Sequence, residues 1–361
     1  MKTEKILLFC LMSLIFNTLS AQSVSEKRSY MKTLPISRGT KLEVINKYGD
    51  VKITTWNKDS VFIMSEIEAF AQNESKLTKM FEGINTNVTA AGQIVRAKSE
   101  FDQNILVLLE SFKGLTEKII DYDSRVKISY FINIPDYADI HIENQFGDVT
   151  MENNKGVVSV SLSNGDFNAN TLNKLSEFTL NFGEAEIGFV ASGKINSTFS
   201  EFVISEAGDL TLNSTSSRYD FKKAGRITVE SRRDKIFAGD ISELAGVSYF
   251  TDFKIETLLK ETDLTIKYGS LDIETTDSRF EKINLISAFS DITLGFDPAT
   301  SYNFEIKHTN AFVVTPGKNT KSEKEALNDD KKEYLTTGTY GSNPGSRKVE
   351  IEATRGNIHL K

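Results

Sequence analysis

Arg232, Arg233, Asp234 and Lys235 form the densest charged run in the central part of this 361-residue chain. Three cations beside a carboxylate suit one kind of chemistry. A polysaccharide lyase or hydrolase needs an acid, a base and cationic groups to hold its substrate, brought together in a groove. Surface charge accounts for the same run without any chemistry, so this patch is an alternative and not the leading reading. A second polar feature recurs along the chain: Asp148, Asp166, Glu184, Glu201, Asp252 and Asp291 occupy equivalent places in a repeat, interrupted by Arg218 and Lys235. Stacked carboxylates suggest calcium, which takes several oxygen ligands. The glycine-rich calcium repeat is absent, however, and a solvated acidic corner is the simpler expectation. The three histidines, His141, His308 and His359, are far apart, and the only cysteine is Cys10. No phosphate loop, dinucleotide fingerprint or nucleophile elbow is present. The expectation is therefore no enzyme, with no catalytic, cofactor-binding or metal-ligating residues and no cofactor.

Those residues sit on a repeat of 17 to 18 residues. Phe146-Gly147-Asp148-Val149-Thr150-Met151 is followed by Asn164-Gly165-Asp166-Phe167-Asn168-Ala169 and by Phe182-Gly183-Glu184-Ala185-Glu186-Ile187. Taking the first residue of each copy as position zero, further copies start at 199, 216, 233, 250, 268, 289 and 309. Outlying copies begin at Tyr48 and Arg355. Residues before each zero position alternate apolar and polar, as in Phe178 and Leu180 before Phe182, which marks a strand with one buried face. The alternation resumes at +3, an odd step, so the chain must turn in between, where Gly, Ser, Asp and Glu supply corner chemistry. Gly156, Gly208 and Gly225 mark a second corner.

Two strands and two corners per repeat define a coil. Stacked coils make an all-β fold, a β-solenoid (β-helix) of 17-18-residue coils. An antiparallel meander is the rival, but its tight turns favour Asn-Gly or Asp-Gly, whereas here the order is Gly-Asp.

Phe146, Phe182, Phe199, Phe250, Tyr268 and Phe289 share position zero and should form a structural ladder. It is either a platform for stacking carbohydrate or part of the core. Parity with the buried aliphatics favours the core.

The ends depart from the repeat. Lys2 and Lys5, the apolar run to Phe16 and the small residues up to Ala21 read as a signal peptide over 1–21, cut before Gln22. Cys10 lies inside the apolar run, where it does not suit lipidation. Residues 22–140 read as a β-rich N-terminal cap containing one or two helices. Asn73 caps a short helix with Leu77, Met80 and Phe81 on one face. A second helix, from Ile105 to Ile119, plugs the open end of the solenoid, which spans 141–314. Residues 315–361 read as a polar loop, Lys318 to Lys332, and a closing coil. The formal net charge of -7 excludes a nucleic-acid binder working through basic phosphate contacts. No second apolar run is long enough to span a bilayer.

Asn46-Lys47-Tyr48-Gly49-Asp50-Val51 with Trp56, Ile132-Asn133-Ile134-Pro135, Asn144-Gln145-Phe146-Gly147-Asp148-Val149 and the closing Val349 to Ile358 resemble a bacterial adhesin-like family, a domain of unknown function related to autotransporter adhesin heads. The resemblance implies an exported β-helix without established enzyme activity, and it supplies no functional residues. The expected function is thus an exported, non-enzymatic binding or scaffold protein, in the periplasm, on the outer membrane or at the cell surface. The sequence leaves the ligand and partner open, with a glycan or an envelope protein as the candidates. The alternative is the carbohydrate-active β-helix built on Arg232 to Lys235.

Overall fold

The computed structural model describes residues 23–103, 105 and 124–361. The expected signal peptide and all of the second expected helix except Ile105 lie outside the described residues; Ile105 itself is buried. The chain is a β-solenoid of about nine turns, each of about 18 residues.

The N-terminal part comprises β1 (Val24–Pro35), β2 (Lys41–Lys47), β3 (Val51–Thr55), β4 (Ser60–Ala71), α1 (Glu74–Glu82), β5 (Ile84–Ala91), β6 (Ile94–Phe101), β7 (Ser124–Ile134) and β8 (Asp139–Gln145). β2 and β3 form one coil. It pairs in parallel with β8 and with the start of the next long strand on one side, and with β6 and β7 on the other. Beyond that the pairing becomes antiparallel: β7 with β4, β4 with β1, and β6 with β5. Antiparallel strands therefore cover the first coil, which would otherwise present an open edge. The Asn73 side chain accepts from the Lys76 N–H and caps α1. The buried face of α1 is Leu77, Met80 and Phe81, as the spacing requires.

The central coils are β9 (Val149–Ser163), β10 (Phe167–Asn181), β11 (Glu184–Thr198), β12 (Glu201–Thr215), β13 (Arg218–Arg232), β14 (Lys235–Tyr249) and β15 (Asp252–Lys267). Each pairs in parallel with the next at a shift of 17 or 18 residues, as in Glu184↔Glu201 and Phe167↔Ala185. Identical positions of successive coils stack and alternate between interior and solvent. The inward columns carry Val160, Phe178, Phe202, Tyr219, Phe221 and Phe253, all buried. Phe202 and Tyr219 stack at 4.9 Å between ring centroids.

The C-terminal part has an order that sequence spacing does not reveal. It comprises β16 (Ser270–Thr276), β17 (Lys282–Ala288), β18 (Asp291–Phe296), β19 (Tyr302–Val314), β20 (Thr320–Asn328), β21 (Glu333–Tyr340) and β22 (Lys348–Leu360). β22 pairs in parallel with β17 and β18 on one side and with β19 on the other. The last strand is thus inserted between two earlier coils and does not lie beyond them. The hairpin of β20 and β21 then pairs antiparallel with β19 and covers its outer edge. Lys318 to Lys332, expected as a loop, is largely strand β20; its exposed polar side chains resemble those of a loop. The long step from 268 to 289 has a local cause: a turn at Asp277–Phe280 between β16 and β17, anchored by the buried Phe280 ring.

Each coil turns at one residue with a left-handed backbone. Tyr48, Phe146, Asn164, Phe182, Phe199, Ser216, Arg233, Phe250, Tyr268, Phe289, Asn310 and Arg355 all have φ between 50° and 66°. These are the zero positions of the repeat, except that the copy expected at Thr309 turns at Asn310. Gly147, Gly165 and Gly183 follow three of these residues. A Cβ on Gly165 would stand 2.1 Å from the Gly147 carbonyl oxygen of the preceding coil. That oxygen is backbone and has no room to retreat. Gly165→Ala is therefore expected to destabilise the protein by about 3 kcal/mol, whereas Ser216→Gly, at a left-handed residue, is expected to cost nothing or to stabilise by up to about 1 kcal/mol. Urea unfolding of the two variants beside the parent checks both signs.

Candidate functional site

The left-handed residue decides which side chains reach solvent. Along a strand, neighbours alternate between the two faces. At the corner two consecutive residues point outward, position -1 and position zero, and the next, +1, points in. In one coil the sequence runs Leu180 buried, Asn181 half-buried, Phe182 exposed, and in the next Ser197 buried, Thr198 half-buried, Phe199 exposed, Ser200 buried.

This overturns the expectation that the aromatic stripe belongs to the core. Phe146, Phe182, Phe199, Phe250, Tyr268 and Phe289 are all exposed, from 37% for Phe146 to 57% for Phe199. The parity break falls two residues earlier than the sequence pattern suggested: the odd step runs from -2 to +1 and not from 0 to +3. A signal for it was present: Asn164, Ser216 and Arg233 share the column, and a core column does not take an unpaired Arg.

The rings face one another along the rod. Tyr48 stacks on Phe146 at 5.5 Å, Phe182 on Phe199 at 5.5 Å, Phe250 on Tyr268 at 5.0 Å and Tyr268 on Phe289 at 5.1 Å, all within 16° of parallel. The Arg355 guanidinium covers the far face of Phe289 at 5.0 Å. The stacked runs therefore offer ring edges; among the described residues, the column breaks at Asn164 and at Ser216–Arg233.

Beside the rings runs the charged column at +2. Several of its carboxylates have a backbone role. Asp50 accepts the Asp148 N–H at 3.1 Å, Asp148 accepts the Asp166 N–H at 2.9 Å, and Asp166 accepts the Glu184 N–H at 2.9 Å. Each fills a bond that the Gly-containing corner leaves to the side chain. Where Ser, Asp or Thr replaces Gly at +1, the +2 N–H bonds a backbone carbonyl instead, as in Arg218 N–H to Ser200 O at 2.9 Å. Among the described residues no group of three or more His, Cys, Asp and Glu side chains is placed to hold a metal ion.

The structure splits the Arg232–Lys235 run. Asp234 sits at position +1 and is 1% exposed. Its carboxylate accepts from the Ser214 hydroxyl at 2.6 Å, the Ser231 hydroxyl at 2.7 Å, the Ser217 N–H at 2.7 Å and the Arg232 N–H at 3.2 Å. Four donors satisfy a buried charge that would otherwise be prohibitive. The network extends through Thr251, which bonds Ser231, and through Ser197, which bonds Ser217 and Tyr219. Burial pushes the Tyr219 phenol well above its usual range.

Arg232, Arg233 and Lys235 are exposed but diverge. Arg232 joins a shallow groove of about 670 Å³ lined by Asn181, Asn196, Thr198, Asn213, Thr215 and Tyr249. Arg233 and Lys235 face a different groove around the corner, of about 580 Å³, with Phe199, Ser216, Arg218 and Glu201.

No family model matches the chain, and no curated protein matches it. Among solved structures it is similar to a candidate cell adhesion protein from Clostridium sporogenes ATCC 15579, at 10% identity over 93% of this chain and 100% of that one, with a TM-score of 0.20. It is also similar to a candidate adhesin from Bacteroides fragilis NCTC 9343, at 10% identity over 93% and 98% of the two chains, with a TM-score of 0.21. Scores this low add nothing to the fold described above.

Removing the Asp234 carboxylate would leave two buried hydroxyls and two backbone N–H groups without their acceptor. Asp234→Ala is expected to cost about 3 kcal/mol of stability, against a change within about 0.5 kcal/mol for Arg233→Ala on the surface. Chemical denaturation of both variants separates a buried structural carboxylate from a groove residue, for which the two costs would be alike.

Proposed function

We propose that the chain is an exported, non-enzymatic β-solenoid that binds at the cell envelope, adhesin-like, and that the corner carrying the aromatic column is its binding face. The observation that carries this reading is the exposed ladder itself. Apolar rings held outside a core lower solubility, and contiguous exposed apolar surface marks interaction sites. Here the rings recur along the rod on one corner, flanked by carboxylates over much of one side and, at Phe182 and Phe199, by Asn and Thr on the other. A rigid rod with a repeated face suits a long or multivalent partner, a glycan or an envelope protein, because several weak contacts then act together.

The leader-like sequence at the N-terminus, Lys2 to Ala21, supports export. Among the described residues no helix is long and apolar enough to cross a membrane. The carbohydrate-active alternative has less support. Its one carboxylate, Asp234, is turned inward and fully engaged, while its cations diverge into two grooves.

Fractionation of the producing cells, combined with N-terminal sequencing, tests the reading. The expected result is an envelope or extracellular protein that begins at Gln22. Replacing Phe182, Phe199, Phe250 and Phe289 together by Ser is expected to preserve the circular dichroism spectrum and to release the protein from the envelope fraction. A cytoplasmic protein retaining Met1, or envelope association unchanged in the Ser variant, contradicts it.

A further inference from the structure

Of the two breaks in the ladder, one differs in character. Asn164 fills the first with an amide, between coils whose +2 residues are Asp148, Asp166 and Glu184. At the second, Ser216 removes the ring and Arg233 follows it. Phe199 keeps one face on Phe182, while its other face looks across Ser216 towards Arg233. Two coil steps separate Phe199 from Arg233, about 9.6 Å at the usual strand spacing. A flat group in van der Waals contact on both faces needs about 7 Å. The slot therefore admits one ring.

Its charge is also distinct. In these two coils alone the +2 column changes sign, to Arg218 and Lys235. Arg218 is occupied: it pairs with Glu201 at 3.2 Å and Asp220 at 3.5 Å and lies over Phe237 at 4.2 Å. Among the described residues, the side chains of Arg233 and Lys235 have no ion-pair partner, although both line the slot. The slot thus has three sides of different chemistry: an aromatic face at Phe199, a carboxylate at Glu201 and two cations at Arg233 and Lys235.

We propose that this slot binds one ring of an acidic saccharide. The proposal rests on the envelope-binding reading above and names the ligand class and the subsite. The apolar face of a pyranose packs on Phe199, its carboxylate meets Arg233 and Lys235, and its hydroxyls donate to Glu201 and to Ser216. A simple anion would leave Phe199 and Glu201 unused. An aromatic peptide side chain would leave the cations unused. The groove around the corner continues the same chemistry. Asn181, Asn196, Asn213 and Thr215 line it with amides and hydroxyls, and Arg232 adds a third cation. These groups match the hydroxyls and carboxylates of neighbouring sugar units, and the Tyr249 ring lies in the same groove.

The test is calorimetric titration of the whole protein with three acidic oligosaccharides, tetragalacturonate, an alginate tetramer and a hyaluronan tetrasaccharide, beside neutral maltotetraose. At least one acidic probe is expected to bind ten-fold or more tightly than maltotetraose, and to weaken as salt is raised. Ser216→Phe continues the ring column in a conformation its neighbours already adopt. It is expected to fold, to fill the slot and to weaken binding at least ten-fold. The surface pair Arg233→Ala/Lys235→Ala is expected to weaken it as much. Failure of all three acidic probes to outbind maltotetraose overturns the proposal. So does affinity that survives both sets of substitutions. If binding persists in Ser216→Phe but falls in Phe250→Ser/Phe289→Ser, the ligand lies on the ladder: the slot is refuted while the envelope-binding reading stands. Cell fractionation tests that reading independently.

Discussion

One backbone conformation organises this molecule. Every coil contains a residue with φ near +55°, and all of these residues carry a Cβ. The left-handed conformation costs an L-residue about 1–2 kcal/mol. Its recurrence, coil after coil, means that the stack overrides that cost. From Tyr48 to Phe289 each such residue donates its N–H to the neighbouring coil, as Phe182 does to Thr198 O and Phe199 to Thr215 O, while Asn310 donates to Lys332 O in the covering hairpin. It also turns the chain within two residues while leaving two side chains outside. The parallel ladder, the outward rings and the inward small residues at +1 all follow from that turn.

The corner exists in two forms that exchange backbone and side-chain bonds. With Gly at +1, the coils approach until a Cβ has no place; after Gly147, Gly165, Gly183 and Gly356 the Asp of one coil accepts the +2 N–H of the next, whereas after Gly269 the Ser270 N–H bonds the Thr251 carbonyl. With Ser, Asp or Thr at +1, the backbone carbonyl takes over that bond, and the new side chain must be satisfied inside. This is the origin of the network around Asp234, where Ser214, Ser217, Ser231 and Thr251 share hydrogen bonds across four coils. Both forms bury polar atoms with partners, as a low-dielectric interior requires.

Much of the coil was legible in the sequence because its period is short and its corner residues are distinctive. The spacing of Phe146, Asn164, Phe182 and Phe199 matched the stacking register to the residue. The Asn73 cap and the α1 face were equally plain. The side on which the rings fall was not legible. An even count back to Leu180 and Phe178 points inward, and a left-handed φ at Phe182 reverses that direction without changing the spacing. Asp234 was misjudged for the same reason: beside Arg232, Arg233 and Lys235 it reads as surface, yet position +1 faces the core. The insertion of β22 between β17–β18 and β19 escaped because parallel pairing leaves no mark of spatial order when coils share one pattern.

The central claim is that position zero forms a stacked column on the outside of the rod, and paired fluorophores test it directly. With Cys10 replaced by Ser, cysteines are placed at Phe182 and Phe199 in one variant and at Phe199 and Phe250 in another, and both are labelled with pyrene maleimide in the native state. The account predicts rapid labelling of both, with strong excimer emission from 182/199, one coil apart, and little from 199/250, three coils or about 14 Å apart. Labelling that requires denaturant, or equal excimer emission from the two pairs, would contradict it.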